Sequence, residues 1–349
     1  MQPVSPAQFK AAVERRTPDV ECVRPGVWSL PLPLPASAGM ESTLSTVLFG
    51  DDDSVAVIDP GWDIGDNRGR LLALLERHGR SLEDIDLVVA THLHIDHLGL
   101  APWIHAASDA RIALHPLDAE PLVHPPESIP DDVLFDRWGV PHDERHDFRP
   151  PIRMNFRELD ADAILPIEDG DVLEAGGARL TVVHTPGHTR GSVCLADHAD
   201  GLLFTGDHVL PIVRPGLALG GDEHDDPIGD YLDALDRLAP YDGFEILPAH
   251  EYRFRGLRER RRELAAHHRQ RSAEVARLLD ALPSPTVWRI AERVTWTGGW
   301  DAVHGFLRRS ALAQIEHHVR HLGREGELVR APVAAPVRDG RPRRGTSAP

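Results

Sequence analysis

The stretch that most constrains this chain is "THLHIDHLG", residues 91–99, which directly follows a short apolar run. Such a run is typical of a buried strand, so the polar stretch is expected where that strand ends. On an extended backbone His92 and His94 alternate and point the same way, while Asp96 and His97 follow where the strand turns into a loop. By itself, the stretch fits either a metal-binding segment or a polar loop rich in histidine.

Three more metal-ligand residue types occur later, each after an apolar run: His188 in "HTPGHTRGS", Asp207 in "LLFTGDHV" and His250 in "ILPAHEY". Strand ends at one edge of a sheet can direct side chains into a common cleft. Neutral imidazoles and carboxylates are the donors that borderline divalent metal ions prefer. The sequence therefore predicts a site for two ions. The expected ligands are His92, His94 and His188 for one ion, Asp96, His97 and His250 for the other, and Asp207 as a bridge.

Together these segments resemble the metallo-β-lactamase-fold hydrolases, in which an HxHxDH motif precedes separate His, Asp and His ligands. The motif here is "HLHIDH", residues 92–97, and all three later ligands are present. The resemblance covers roughly residues 24–252 and includes "VAVIDPGW" around Asp59. It implies an α/β (α+β) fold, a four-layer αββα sandwich, and a metal-dependent hydrolase.

Several residues near these ligands are candidates for supporting roles. By resemblance, Asp59 supports the site from behind the ligands, although it could simply stabilise a turn. His208, beside Asp207, is expected to support the site without being a ligand. Tyr252 and Arg253 follow His250 and are candidates for substrate contact; the arginine could bind a carboxylate or phosphate, or belong to the solvated start of the next helix.

Short apolar runs and helical periodicity indicate how the rest of the chain folds. Strands are expected at residues 27–32, 45–48, 55–58, 87–90, 111–114, 180–184, 193–196, 202–205 and 245–248. Leucines at helical spacing predict helices over residues 68–78 and 230–238. Runs of strands with interspersed helices favour sheets covered by helices on their outer faces.

Composition suggests three parts of the chain. Residues 1–256 form the expected catalytic domain, in which the Pro-, Asp- and His-rich segment 116–166 is interpreted as an insertion or lid. Residues 257–330 are expected to form a winged-helix-like appendage with a long helix, a short helix, a further helix and a terminal strand. Residues 331–349, rich in Pro, Arg and Gly, are expected to be disordered.

The appendage also carries several histidines. Because many charged residues surround them, they are interpreted as belonging to solvated helix faces and not to a second metal site; they are His267, His268, His317, His318 and His321.

The overall composition excludes some functions. A net charge of -17 over 349 residues argues against a surface made mainly to hold nucleic acid or anionic lipid. Cys22 and Cys194 are the only cysteines, so no disulfide framework is expected. The chain shows no signal sequence, and none of its apolar runs approaches the roughly 20 residues that span a bilayer. A cytoplasmic protein without a membrane segment is the expectation.

The predicted chemistry is hydrolysis of a small-molecule substrate. A divalent metal ion can lower the pKa of its bound water from near 15.7 to about 7, which generates hydroxide at neutral pH. Asp96 is expected both to ligate one ion and to orient this nucleophile. Zinc is favoured, although mixed His and Asp sites also accept iron or manganese. The bond attacked is expected to be ester-like, in a thioester or a lactone.

Three alternatives remain open at this stage. The first is a phosphodiesterase or endoribonuclease that binds RNA through the C-terminal appendage. The second is a sulfur dioxygenase with a single iron. The third is a non-catalytic binding protein whose C-terminal helices form a homodimer interface. A true β-lactamase is disfavoured, because such enzymes commonly carry Cys where this chain has Asp207 and are exported.

Overall fold

A computed structural model describes residues 1–125, 129–148, 161–218 and 225–329. The strands are β1 (Gln2–Pro3), β2 (Glu21–Arg24), β3 (Val27–Pro33), β4 (Ser42–Phe49), β5 (Val55–Ile58), β6 (Ile85–Val89), β7 (Arg111–Leu114), β8 (Ile164–Pro166), β9 (Val172–Ala175), β10 (Ala178–His184), β11 (Val193–Asp197), β12 (Leu202–Gly206), β13 (Glu245–Pro248) and β14 (Phe254–Arg255). The α-helices are α1 (Pro6–Val13), α2 (Asn67–Arg77), α3 (Ile95–Leu98), α4 (Ala101–Ser108), α5 (Pro116–Val123), α6 (Asp131–Trp138), α7 (Pro227–Arg237), α8 (Leu257–Ala281), α9 (Val287–Ala291) and α10 (Gly305–His321). None of the described helices is long and apolar enough to cross a membrane.

The strands form two mixed sheets. One sheet has the order β2-β3-β4-β5-β6-β7-β8, and the other has the order β1-β14-β13-β12-β11-β10-β9. Apolar side chains from both sheets, such as Val89 of β6 and Phe204 of β12, meet in a buried layer between them. Helices cover the two outer faces, so the predicted four-layer αββα sandwich is confirmed.

Each outer face has its own apolar core. Helices α2 and α4 pack on the first sheet, where Leu74 and Ile104 lie in one cluster with Val88 of β6. Helix α7 and the first half of α8 pack on the second sheet around Tyr231 and Leu264. Because side chains alternate along a strand, Val88 faces the helices while its neighbours face the other sheet.

Strand direction brings the polar ends of several strands together. In the first sheet β5, β6 and β7 are parallel. In the second sheet β12 and β13 are parallel, and β10 runs in the same direction because two antiparallel pairings separate it from β12. The sheets are joined where these strands end, since the Val193 amide donates to the Thr91 carbonyl at 2.9 Å and the Leu44 amide to the Ala249 carbonyl at 2.6 Å. Residues that follow β6, β10, β12 and β13 therefore meet at one edge.

The predicted strands are all present, with ends that differ by up to three residues. Five further strands lacked a sufficient sequence signal: β1, β2, β8, β9 and β14. They are two to four residues long; β1, β2, β8 and β9 are the edge strands of the two sheets, and β14 lies next to β1. Short strands at edges carry charged and exposed residues, as in "ECVR" of β2, so they show no apolar run.

Helix α8 runs without a break from the expected domain boundary at residue 257 to Ala281. Its first half contributes Leu264 to the core beneath the second sheet. Its second half contributes Val275 and Leu279 to a separate cluster with α6, α9 and α10. One helix therefore belongs to both the sandwich and the C-terminal helical unit.

The C-terminal helices are present as expected, but the predicted terminal strand was wrong. The described residues 256–329 contain no strand and end in a 3₁₀ turn at Glu325–Glu327. The solvated histidine face was also wrong for three residues, since His268, His317 and His318 are buried. His268 of α8 and His318 of α10 stack at 5.8 Å where these helices pack together, a burial that the flanking charges in the sequence concealed. The tail 331–349 lies outside the described residues.

The segment expected to be an insertion or lid, residues 116–166, contributes to several layers. Its helix α5 lies beside the polar edge of the sandwich, and its strand β8 pairs with β7. Helix α6 packs through Leu134 and Trp138 against the C-terminal helices. Residues 126–128 and 149–160 of the segment lie outside the described part.

Because α8 joins two cores, we expect the sandwich and the C-terminal helices to unfold together. Leu264→Ala and Leu279→Ala each remove a buried side chain from one half of the helix. Each should lower the free energy of unfolding by roughly 2–5 kcal/mol and shift one common transition in chemical denaturation. Leu72→Ala, at a position 41% exposed, is the control and should change little. Two separate transitions, each moved by only one substitution, would contradict this.

Candidate metal centre

Seven side chains that the sequence singled out lie together at the joint edge of the two sheets. His92, His94, Asp96 and His97 follow β6, and the remaining three follow β10, β12 and β13. Their donor atoms form three overlapping groups, in each of which all atoms lie within 4.8 Å of one another. The groups are His92, His94 and His188; His92, His97 and Asp207; and Asp96, His97 and His250.

Three imidazoles converge in the first group. His92 Nε2 lies 2.8 Å from His94 Nδ1, and His188 Nε2 lies 3.1 Å from the same atom. His92 and His188 are almost fully buried. Three imidazole nitrogens that face a common point form a donor set suited to a divalent ion.

Asp207 lies between this group and the third one, with one carboxylate oxygen toward each. Its Oδ2 is 3.5 Å from His188 Nε2. Its Oδ1 is 3.2 Å from His250 Nε2 and 3.6 Å from His97 Nε2. Asp96 completes the third group, with its Oδ2 3.5 Å from His250 Nε2. This placement suits the bridging role predicted for Asp207.

Hydrogen bonds on the outer side of the rings orient the imidazoles. His188 Nδ1 donates to the Gly216 carbonyl at 2.6 Å, and His250 Nδ1 donates to the Ser42 carbonyl at 2.8 Å. Each bond fixes the proton on Nδ1 and leaves the Nε2 lone pair directed into the site. Partners of this kind orient metal-binding histidines and raise their basicity.

Asp59 contacts the segment that carries two of the predicted ligands, His92 and His97. Its carboxylate accepts hydrogen bonds from the Thr91 amide and from Thr91 Oγ1, both at 2.8 Å. Its Oδ2 also lies 3.1 Å from His97 Nδ1, and Thr91 Oγ1 lies 3.1 Å from His92 Nδ1. Asp59 has a positive φ of 49°, a backbone conformation that costs free energy in non-glycine residues. Its contacts fit the supporting role implied by the sequence resemblance.

The pKa values of the buried groups in the site are shifted by burial and by their charged neighbours. Burial, followed by the nearby His94, lowers the pKa of His188 to about 4. Burial also lowers the pKa of His250, but the Asp207 and Asp96 carboxylates outweigh it and raise this pKa to about 10. Burial raises the pKa of Asp207, but His250 and His97 outweigh it and hold this pKa well below its usual range. The carboxylates thus attract protons to the nearest imidazoles, and divalent ions would supply that charge instead.

Several donor atoms of the site also lack hydrogen-bond partners. Within the described part of the chain, His97 Nε2, His250 Nε2 and Asp207 Oδ1 are buried and make no hydrogen bond. Native proteins pair nearly all buried polar atoms, so three unpaired nitrogen and oxygen atoms at one point fit a metal-binding role. The donor set, the tautomers and the unpaired atoms all fit divalent metal ions.

Asp118, which the sequence did not single out, joins the two loops that carry the first group. This fully buried carboxylate accepts from the Leu93 amide at 2.9 Å, from Thr189 Oγ1 at 2.7 Å and from the Gly191 amide at 2.7 Å. Leu93 lies between His92 and His94 in the chain, and Thr189 follows His188. No spacing pattern links Asp118 to these loops, since it lies on α5 within the expected insertion.

Two further candidates, His208 for a supporting role and Tyr252 for substrate contact, lie in packed surroundings. His208 is buried and its ring packs against Tyr231 at 4.8 Å, outside the three donor groups. Tyr252 is buried in the outer core of the second sheet and contacts Phe9 at 5.1 Å. These contacts are those of core residues.

Arg253 does not reach the donor groups. Its guanidinium pairs with Glu245 and, at 2.7 Å, with Glu21. Glu245 begins β13, while His250 follows the other end of that strand. The expected substrate contact of Arg253 is therefore corrected to an internal ion pair, which the local sequence could not reveal because Glu21 is distant in the chain.

Comparisons with known proteins agree with this fold. The metallo-beta-lactamase superfamily model matches residues 39–250. Acyl-coenzyme A thioesterase MBLAC2 from Bos taurus is 33% identical over 153 residues, which is 44% of this chain and 50% of that protein. The match thus spans about half the length of this relative. Hydroxyacylglutathione hydrolase GloC from Haemophilus influenzae is 27% identical over 196 residues, which is 53% of this chain and 72% of that protein.

Two solved structures are similar over most of the chain. A metallo-beta-lactamase family protein from Thermus thermophilus has a TM-score of 0.68 and 29% identity, over 87% of this chain and 95% of that one. A beta-lactamase domain protein from Burkholderia ambifaria has a TM-score of 0.69 and 26% identity, over 89% of both chains. With the family model matching more than half of its residues, this chain belongs to the metallo-beta-lactamase superfamily.

Proposed function

We propose that this protein is a hydrolase that uses two divalent metal ions to cleave a thioester. The observation that carries the proposal is the position of Asp207, whose two oxygens face two separate groups of imidazoles. His92, His94 and His188 would hold one ion, and Asp96, His97 and His250 the other. Zinc suits this donor set, as do iron and manganese.

The bound ions supply Lewis acidity and lower the pKa of a water molecule near them. The protein positions the reactants. Asp96 is the more exposed of the two carboxylates, at 18% against 8% for Asp207, and its carbonyl is held by Thr43 Oγ1 at 2.8 Å. Its carboxylate is thus placed toward solvent, where it can accept a hydrogen bond from the attacking water. The buried Asp207 cannot do this as well, because imidazoles surround it.

The leaving group distinguishes thioesters from other substrates. The outer nitrogens of His92, His97, His188 and His250 all contact a hydroxyl, carboxylate or carbonyl group, so none of these four is placed as a general acid. A thiol has a pKa of about 8.5, so a thiolate can leave without being protonated. An alkoxide or an amine anion is far more basic than a thiolate, so it must be protonated as it leaves. The site therefore suits thioesters better than lactones or amides.

Two relatives support the choice of a thioester as the bond that is cleaved. The names of MBLAC2 and GloC denote an acyl-coenzyme A thioesterase and a hydroxyacylglutathione hydrolase, and both substrates are thioesters. A small-molecule acyl thioester is accordingly the proposed substrate class.

The described contacts do not favour RNA as the substrate. The C-terminal appendage, which would bind RNA in that alternative, begins with the Arg-rich helix α8, but Arg258 and Arg261 both pair with Asp242. Paired guanidinium groups contribute less to phosphate binding. Phosphodiesterase activity is the second candidate function, and the substrate panel below tests it. A single bound iron would instead favour a dioxygenase.

Removing a proposed ligand should remove both metal and activity. We expect His92→Ala and Asp207→Ala to lower the bound metal measured by elemental analysis from two ions per chain, and to abolish thioester hydrolysis. His124→Ala and Asp236→Ala, at exposed positions, are matched controls that should keep both. Metal-dependent turnover retained in both ligand variants would refute the assignment, and one iron per wild-type chain would favour the dioxygenase.

Asp118→Asn should weaken metal binding even though the side chains are equal in size. In either orientation the amide NH₂ would face at least one N–H donor, from Leu93 or Gly191, so the two loops would separate. We expect metal affinity to fall roughly 10- to 100-fold in chelator competition. Asp197→Asn is the control, because this buried carboxylate accepts from the Ala199 and Asp200 amides away from the site. Equal metal affinity in the two variants would count against Asp118.

A substrate panel tests the bond type. Metal-loaded protein should hydrolyse acyl thioesters with a higher kcat/KM than lactones or phosphodiesters that carry similar groups. Product analysis should show a free thiol and a carboxylic acid. Faster turnover of phosphodiesters would favour the second candidate, and faster turnover of lactones would contradict the leaving-group argument.

A further inference from the structure

We infer that the C-terminal helices α8 and α10 position the metal ligand His188 through the loop that follows Asp207. This loop, residues 208–218, is named here the bridging loop. The inference rests on the proposed function to the extent that His188 binds a metal ion. It assigns to the C-terminal helices a role in the site, although they contribute none of the seven donor residues.

The bridging loop contacts His188 directly. The Gly216 carbonyl accepts from His188 Nδ1 at 2.6 Å, and the Ala218 amide donates to the Gly187 carbonyl at 2.8 Å. The loop begins directly after Asp207, so its two ends both touch proposed ligands. Movement of Gly216 would release the His188 ring and change the tautomer that directs Nε2 into the site.

Arg260 of α8 holds the middle of the bridging loop. Its guanidinium is almost fully buried and donates to the carbonyls of Leu210 at 2.7 Å, Ile212 at 3.0 Å and Val213 at 2.8 Å. A guanidinium stays charged and presents several donors in a fixed plane, so it can fix three carbonyls at once. Charge-assisted bonds of this kind are among the stronger hydrogen bonds.

Gln314 of α10 holds the end of the loop next to Gly216. Its Nε2 donates to the Leu217 carbonyl at 2.7 Å. Leu217 is fully buried, so its carbonyl would lose a hydrogen bond without this amide. The peptide that Gln314 holds therefore adjoins the peptide that orients His188.

Polar contacts matter here because the middle of the loop has little apolar packing. Ile212 and Val213 are 50% and 40% exposed. Their amides donate to the Glu251 carboxylate at 2.7 and 3.1 Å, and Glu251 adjoins His250. With these side chains exposed, the conformation of the middle of the loop depends on the polar contacts of Arg260 and Glu251.

Metal titration of the full chain tests this inference. Metal-free Arg260→Met and Gln314→Leu are titrated with Zn²⁺ by calorimetry beside the wild type and His188→Ala. We expect one of two binding events to weaken roughly 10- to 100-fold in all three variants, while the other changes little. Hydrogen exchange of amides 208–218 should rise in Arg260→Met and Gln314→Leu. Gln314→Leu removes one neutral hydrogen bond, so it tests the link even if Arg260→Met does not fold.

Arg261→Met is the matched control in the same helix, because Arg261 pairs with Asp242 and Asp236 instead of the loop. It should keep both binding events and the exchange rates of the loop, although it lowers stability. If His188→Ala weakens one binding event but Arg260→Met and Gln314→Leu bind both ions as the wild type does, the inference is overturned while the proposed ligand role of His188 stands. If His188→Ala also binds both ions normally, the proposed ligand role fails and the inference fails with it.

Discussion

The mutual electrostatics of five imidazoles and two carboxylates at one buried edge is the constraint on which the rest of this structure depends. In a region of low dielectric, buried charges must be paired. Asp207 satisfies this demand in both directions, since its oxygens face His188 on one side and His250 on the other. Divalent ions at this edge would add positive charge beside both carboxylates.

Each layer of the sandwich contributes to holding this group in place. Asp59, after β5, orients the stretch that follows β6, and Asp118 of α5 ties that stretch to the loop of His188. Arg260 and Gln314 extend the same support to the C-terminal helices. The proposed ligands thus lie at strand ends on a rigid scaffold, and the contacts behind them come from helices on both faces. This explains how a site built from loops can keep a defined geometry.

Sequence reasoning predicted the centre of the fold better than its periphery. Central strands such as β5 are buried on both faces, so their apolar runs are unbroken and their bounds were predicted without error. Edge strands such as β2 lack that signal. Histidines flanked by charges were also misread, because His268 and His318 become buried only when α8 and α10 pack together.

The sequence by itself determined the set of proposed ligands, because HxHxDH and the later His, Asp and His each follow an apolar run that must be a buried strand. Only the tertiary structure decided which residues support them. Asp118, Gly216 and Arg260 act through contacts between residues that are 25 or more positions apart, and no local pattern encodes such a contact. Only the tertiary structure, likewise, decided that Arg253 serves an internal ion pair, since that depends on where Glu21 and Glu245 are placed.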